Sequence, residues 1–465
     1  MSDAFRTLSP IDGRVVCERT WQGPAAVDRT LVRAVRAQQE WRRVPLAERK
    51  AKVAAMIDAV TARRTDLARE ITLQMGRPIR YAAGEIDGFA DRGHTMIRLA
   101  DQALAPIDPG AKPGFTRTIE HVPVGVVLVL APWNYPWLTA VNTVVPALVA
   151  GNAVVLKHSD QTPLVAERMS EAAAAAGLPD GLFQHLHITH ELTAKVVRDP
   201  RVAFVAFTGS VEGGRAVHNA LGGTFKAAGL ELGGKDAGYV REDADLDFAI
   251  ENLVDGAFFN SGQSCCGIER IYVHERHFKR FLDGVVELAK GYQLGDPLEE
   301  ATTLGPVVRK RNAEAIQAQV DAAVAAGATA HVDPAAFAAT AALGLPYLAP
   351  QVLSGVDHTM AVMREETFGP VVGVMSVPDD ATALRLINDS PYGLTASIWT
   401  HDLDAAAALG RELEVGTVFA NRCDALDPEL GWVGVKDSGR GCTLSVLGYA
   451  SLTRPRSFHL RHPRA

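Results

Sequence analysis

The chain has 465 residues, of which 47% are apolar and 22% charged, and its formal net charge is −7. This composition excludes a largely disordered chain and offers no basic stripe for nucleic acid. The length exceeds what one hydrophobic core serves and implies two or three domains of roughly 100–200 residues each.

The opening residues, MSDAFRTLSP, lack the basic segment and apolar run of a signal peptide. The longest apolar run, Val124 to Pro132, falls well short of the ~20 residues that a bilayer span needs. The expectation is a soluble, cytoplasmic protein with no membrane or nucleic-acid partner. The cysteines are Cys17, Cys265, Cys266, Cys423 and Cys442. They form no CxxC pair and no zinc-like spacing, so no metal is expected and the thiols are read as reduced. One of them is then available as a nucleophile.

Residues 26–75 carry apolar side chains at helical spacing (Leu31, Val32, Val35, then Val53, Met56, Ile57, Val60) and stop at Gly76 and Pro78. A further helix is predicted over about 83–99. The run VGVVLVLAP (124–132) shows no alternation, as a strand buried on both faces requires. A helix over 141–150 follows, then a Gly151-Asn152 turn and a second such strand over 153–157. Helices over 163–176 and 190–198 alternate with strands over 184–188 and 202–207. This rhythm predicts a doubly wound parallel sheet, a usual cradle for a nucleotide. From Glu231 a second alternating region begins, with a helix over 244–259, a strand over 270–274 and a helix over 276–289, and continues to about 420. The Ala-rich stretch 322–342 reads as solvated helix and loop. The fold class is α/β, with two doubly wound Rossmann-like domains meeting near 230–235.

Within this frame a few residues have chemical potential. In FTGS (207–210), Gly209 permits a tight strand-to-helix turn and Ser210 can cap a helix whose N–H groups would receive a phosphate. No GxGxxG fingerprint is present, so a standard Rossmann loop is not expected. Cys265 follows a Gly-containing turn in FFNSGQSCCGIER. A free thiol has a pKa of about 8.5 and needs a proton acceptor or a helix N-terminus to act at neutral pH. Glu231, in LELGGK, is the candidate acceptor. Asn134, between two prolines in PWNYP, is a rigidly presented amide suited to an oxyanion hole, although turn-forming asparagines are commoner.

Taken in order, PWNYP (132–136), LKHSD (156–160), FTGS, LELGGK (230–235), GQSC (262–265) and EETFGP (365–370) resemble the successive signature blocks of the aldehyde dehydrogenase superfamily. NDSPYGLTASIWT (388–400) and GVKDSGRG (434–441) extend the similarity over nearly the whole chain. The resemblance implies oxidation of an aldehyde to a carboxylic acid with NAD(P)+ and water through a thioester on Cys265. Glu231 would be the general base and Asn134 the oxyanion donor. It assigns the cofactor to Trp133, Lys157, Ser159, Asp160, Gly209, Ser210, Leu232, Glu366 and Phe368. An acidic residue at 160 favours NAD over NADP, although Asp is shorter than the usual Glu and His158 could assist a phosphate. Cys266 is either a packing neighbour or a vicinal thiol able to form a disulfide with Cys265.

The resemblance also implies three parts: a cofactor-binding domain (1–104 and 124–233), a catalytic domain (234–442) and a small β oligomerisation arm (105–123 and 443–465). In that arm FTRTIEHV (115–122) reads as an exposed hairpin, and SLTRPRSFHLR (451–461) as a strand able to pair with a partner subunit in a homodimer or homotetramer. The aldehyde tunnel is assigned to Tyr135, Asn142, Ser264, Leu426 and Trp432. The two aromatics suit an apolar or aromatic aldehyde; Asp424, Asp427 and Glu429 suit an amino-aldehyde; Arg422 suits a semialdehyde carboxylate. The alternative to hydrolysis is release of the thioester to CoA, against which Glu231 argues.

Overall fold

The computed structural model describes residues 4–344 and 346–463; residues 1–3, 345, 464 and 465, which include the outer ends of the expected first domain and arm, lie outside it. Every residue of Val126–Ala131 is buried, as the unbroken apolar run requires, and this strand is central in a six-stranded sheet. Its parallel neighbours are Ala153–His158 and Val202–Thr208, flanked by Phe183–His185 and Ala227–Glu231. Helices on both faces seal the sheet, so the strands need no polar side. The last strand of this sheet, Gly439–Arg440, runs antiparallel to Leu230–Glu231. The sequence had grouped these two residues with the second domain; their hydrogen bonds put them on the edge of the first sheet.

The second sheet has seven strands. Asp236–Val240 lies between Ile268–His274 and Thr395–Trp399, all parallel, with Val371–Val377, Gln351–Ser354 and Thr417–Ala420 further out. Among the described residues only the short Thr329–Ala330 strand is antiparallel in this sheet. The two doubly wound units of the sequence reading are therefore present.

Two helices are longer than their apolar periodicity suggested. One spans Ile79–Ala103, with Pro78 at its start and the Ile79 N–H donating to the Pro297 carbonyl at 2.7 Å. The other spans Pro136–Ala150 rather than starting at 141. A proline in the first turn has no N–H to leave unsatisfied, and the Glu85 carboxylate accepts from the N–H groups of Trp137 at 2.7 Å and Leu138 at 3.4 Å. No element was read before residue 26, yet Ala4–Leu8 and Val15–Thr20 form a hairpin. That hairpin packs beside the loop after Ala153–His158, since the Thr7 hydroxyl donates to the Asp160 carbonyl at 2.7 Å.

Within the arm, Thr453–Arg461 pairs antiparallel with Phe115–Pro123 of the same chain over its full length, which occupies one of its two edges. Isolated bridges from Ile107 to Ile119 and from Lys112 to Phe115 supply the other limb of the hairpin. Residues 446–452, assigned to the arm, instead pack on the Ile79–Ala103 helix, where the Tyr449 hydroxyl donates to the Met96 carbonyl at 2.7 Å.

Candidate active site

The Leu246–Phe258 helix ends in a left-handed run, with φ of 53° at Asn260, 58° at Ser261 and 69° at Gly262. Such angles are costly away from glycine, and here they reverse the chain so that Gln263–Cys266 enters the cleft. Gly262 is obligatory, because a Cβ there would collide with the Gly369 carbonyl. The Asn260 amide donates to the carbonyls of Gln263 at 3.1 Å and Asn134 at 3.2 Å, and the Gln263 side chain accepts from the Val308 N–H at 2.8 Å. The Gln263–Cys266 loop is thus tied to the PWNYP turn.

Asn134 is buried, and its Nδ2 donates to the Gln263 carbonyl at 3.2 Å, two residues before Cys265. Its own carbonyl accepts from Arg77 Nη2 at 2.6 Å. Arg77 forms a buried ion pair with Glu85, the same carboxylate that caps the Pro136–Ala150 helix. One buried pair thereby fixes both the turn and the helix behind it.

Glu231 ends its strand and accepts from the hydroxyls of Thr208, at 3.0 Å, and Thr443. Burial pushes its pKa up, while these two donors and the charge of Arg92 pull the other way. Glu231 and Cys265 line one cavity of about 320 Å³ together with Tyr135, Asn142, Ser264, Leu426 and Trp432. All five tunnel residues expected from the sequence therefore converge there, with Asn134 just behind the wall.

On the cofactor side, Lys157 is buried and its amine has no hydrogen-bond partner among the described residues; burial lowers its pKa and nearby Asp160 opposes this. Ser159 Oγ accepts from the Gln161 N–H at 3.2 Å, and Asp160 Oδ1 from Arg309 Nη2 at 3.2 Å. The Gly209 N–H donates to the Glu231 carbonyl at 3.0 Å, and Ser210 caps the Val211–Leu221 helix by accepting from the Gly213 N–H at 3.2 Å. Leu232 packs against Gly214, where a Cβ would strike its side chain. Glu366 covers Gly233 and accepts from the Gly234 N–H at 3.1 Å; burial, then the charge of Glu269, pushes its pKa to about 8. Phe368 meets Trp133 edge-on with ring centroids 5.6 Å apart. Glu269 secures this loop by accepting from the N–H groups of Thr367 at 2.8 Å and Phe368 at 2.9 Å while paired with buried Lys235. An unpaired buried ammonium and a capped helix start suit the ribose and phosphate oxygens of a dinucleotide.

Several readings are corrected by the geometry. His158 cannot assist a phosphate: its ring nitrogens engage the Pro136 carbonyl at 3.0 Å and the Thr162 hydroxyl at 3.1 Å, and burial lowers its pKa to about 4. Of the three loop acids, only Asp424 reaches the cavity. It accepts from Ser264 Oγ at 2.8 Å and Cys266 Sγ at 2.9 Å, and burial raises its pKa to about 6. Asp427 is exposed and caps the Glu429 N–H at 2.9 Å, while Glu429 pairs with Arg98. Arg422 is exposed and does not line the cavity. Arg92, Arg77, Glu85 and Glu269 were not anticipated. Arg92 and Glu85 come from a helix face and Arg77 from the loop before that helix, all far from the motifs in sequence, whereas Glu269 stands four residues after Cys265 on the next strand. A buried charge at an apolar-periodic position, as at Glu85, was the one signal that could have marked the helical pair.

The chain's residues 1–457 match the family model described as the aldehyde dehydrogenase family. It is 34% identical over 451 residues to a succinate-semialdehyde dehydrogenase [NADP(+)] of Mycobacterium avium (strain 104), covering 95% of this chain and 93% of that protein. It is likewise 34% identical over 456 residues to a 3,6-anhydro-alpha-L-galactose dehydrogenase of Streptomyces coelicolor, covering 98% and 92%. Among solved structures, an NAD-dependent aldehyde dehydrogenase from Sinorhizobium meliloti superposes with a TM-score of 0.95 at 31% identity, covering 99% of this chain and 92% of that one. The chain belongs to the aldehyde dehydrogenase family. It is an NAD(P)-dependent oxidoreductase that converts an aldehyde to the carboxylic acid through a cysteine thioester.

Proposed function

We propose that Cys265 is the nucleophile, Glu231 the base and Asn134 the oxyanion donor of this reaction. The Cys265 thiolate adds to the aldehyde carbon, and the negative charge that develops on oxygen is received by Asn134 Nδ2 and the Cys265 backbone N–H. When bound, the nicotinamide accepts the hydride that leaves this carbon. The resulting thioester is attacked by a water whose proton passes to Glu231, and the acid departs as the thiolate is restored. Burial serves Glu231 in this role, because a raised pKa makes a carboxylate a better proton acceptor near neutral pH. The observation that carries the reading is the convergence of Cys265 and Glu231 on one cavity.

Lys157, Ser159 and Asp160 would hold the adenosine ribose, Gly209 and Ser210 the pyrophosphate, and Trp133, Leu232, Glu366 and Phe368 the nicotinamide half. Asp160 disfavours a 2′-phosphate and so favours NAD, while Arg309, 3.2 Å from its carboxylate, weakens that preference. The six-stranded sheet and its helices would serve the cofactor, the seven-stranded sheet the chemistry, and the ribbon of Phe115–Pro123 with Thr453–Arg461 a homodimer or a homotetramer built from dimers in the cytoplasm. The exposed ribbon of Phe115–Pro123 and Thr453–Arg461 supports this, since uncovered strand edges invite pairing. The test is absorbance at 340 nm with NAD or NADP and a panel of aldehydes, with and without CoA. CoA-independent NADH formation is expected; strict dependence on CoA would remove Glu231 from its role.

A further inference from the structure

We infer that Arg92 anchors an anionic group at the far end of the aldehyde, so that the preferred substrates are short oxo acids. This rests on the assignment of Cys265 as nucleophile. Arg92 lines the same cavity as Cys265, from the facing Ile79–Ala103 helix. A guanidinium has five N–H donors. Here Nη1 donates to the Leu138 carbonyl at 3.1 Å and to Asn142 Oδ1 at 3.2 Å, which accounts for two of them. Nε and Nη2 have no hydrogen-bond partner among the described residues, and neither is walled off from open space. Those two nitrogens form the edge that grips a carboxylate with two parallel hydrogen bonds. Asn142, its oxygen spent on Arg92, leaves its own N–H₂ as a further donor at the same pole.

The other charges in the cavity do not compete for this edge. No carboxylate pairs with Arg92 among the described residues. Glu231 already accepts from two threonine hydroxyls, and Asp424 from Ser264 and Cys266. Asp255, also on the lining, is exposed to solvent. A cationic substrate end would find Asp424 already engaged and Arg92 repelling it. An uncharged end would leave the guanidinium desolvated and half-satisfied, a costly state. A carboxylate satisfies it.

The test compares 4-oxobutanoate with its uncharged methyl ester and with 4-(trimethylammonio)butanal, by kcat/KM in the wild type, Arg92→Gln and Arg92→Lys. The wild type should favour the acid over the ester by about 30-fold, the worth of a charge-assisted pair. Arg92→Gln should collapse that ratio, chiefly through KM, and Arg92→Lys should restore part of it. Succinate should slow iodoacetamide alkylation of Cys265 in the wild type and not in Arg92→Gln, a readout independent of turnover. Equal use of acid and ester by the wild type would overturn the inference. So would an unchanged ratio in Arg92→Gln with both rates lowered together, which would make Arg92 a countercharge for Glu231. In either case ester turnover leaves the nucleophile assignment standing. No NADH from any of the three aldehydes would instead sink that assignment and the Arg92 inference with it.

Discussion

Glu85→Gln removes one charge from the buried pair behind Asn134 while keeping the shape of the side chain. Arg77 and Glu85 are 2% and 0% exposed, so solvent cannot take over the role of the lost carboxylate. The glutamine carbonyl can still accept the Trp137 N–H, so the cap of the Pro136–Ala150 helix survives in part. What remains is a buried guanidinium facing only neutral acceptors, the Asn134 carbonyl at 2.6 Å and Asn260 Oδ1 at 3.0 Å. Breaking a buried pair in this way costs about 3–5 kcal/mol, a large share of the ~5–15 kcal/mol that holds a typical protein folded. Because Arg77 grips the carbonyl of Asn134 itself, kcat should also fall, toward the roughly 10²–10³-fold seen when an oxyanion donor is lost. Urea unfolding followed by tryptophan fluorescence reads the first effect, and NADH formation on one aldehyde reads the second. A double-mutant cycle with Arg77→Met and Glu85→Met supplies the coupling. The double variant should lose less stability than the two single losses combined, since it leaves no orphaned charge. A Glu85→Gln cost below about 1 kcal/mol, or strict additivity in the cycle, would refute the reasoning.

Cys265→Ser should abolish NADH formation while NADH binding, read by fluorescence quenching, persists; residual turnover at wild-type rate would remove the thiol from the chemistry. Glu231→Gln should give a burst of one NADH per site followed by slow turnover, because hydride transfer precedes the step that needs the base. As Glu231 must be ionised to accept a proton and burial raises its pKa, wild-type kcat should fall as pH drops through a value above the ordinary ~4.3 of a glutamate; an acid limb persisting in Glu231→Gln would refute this. Asp160→Ala should narrow the NAD-over-NADP ratio in binding and in kcat/KM, whereas Arg309→Ala should widen it by leaving Asp160 unneutralised. Two shifts of the same sign would show that cofactor choice is made elsewhere.

The parts of the fold that were legible in the sequence are those set by local pattern. Val126–Ala131 and Ala153–His158 are uniformly buried strands because nothing in them tolerates solvent, and that is visible in the residues alone. The Ser210 cap was legible for the same reason: a hydroxyl just before a helix has one productive use. The Pro136–Ala150 helix was read five residues short because its first turn is stabilised by Glu85, far off in the chain. The pairing of Thr453–Arg461 with Phe115–Pro123 was likewise invisible, since an alternating strand states which faces differ and not which strand it joins.

In the site the same division separates reacting groups from the groups that position them. Cys265, Glu231 and Asn134 stand in distinctive short motifs, because each needs particular neighbours in the chain: the left-handed turn before the thiol, the Gly-Gly pair after the carboxylate, the prolines around the amide. Arg92, Arg77, Glu85 and Asp424 need only to arrive at the right point in space, and a helix face or a loop tip can deliver them from any context. Asp424 makes the point most sharply. In the sequence it is one of three acids in a loop, and the most economical reading treated them alike. Folded, it is separated from Asp427 and Glu429 by burial, and it takes up the Ser264 and Cys266 donors on either side of Cys265. The acid that seemed to recruit a cationic substrate is thereby committed to the protein. The charge left for a substrate is the opposite one, on Arg92.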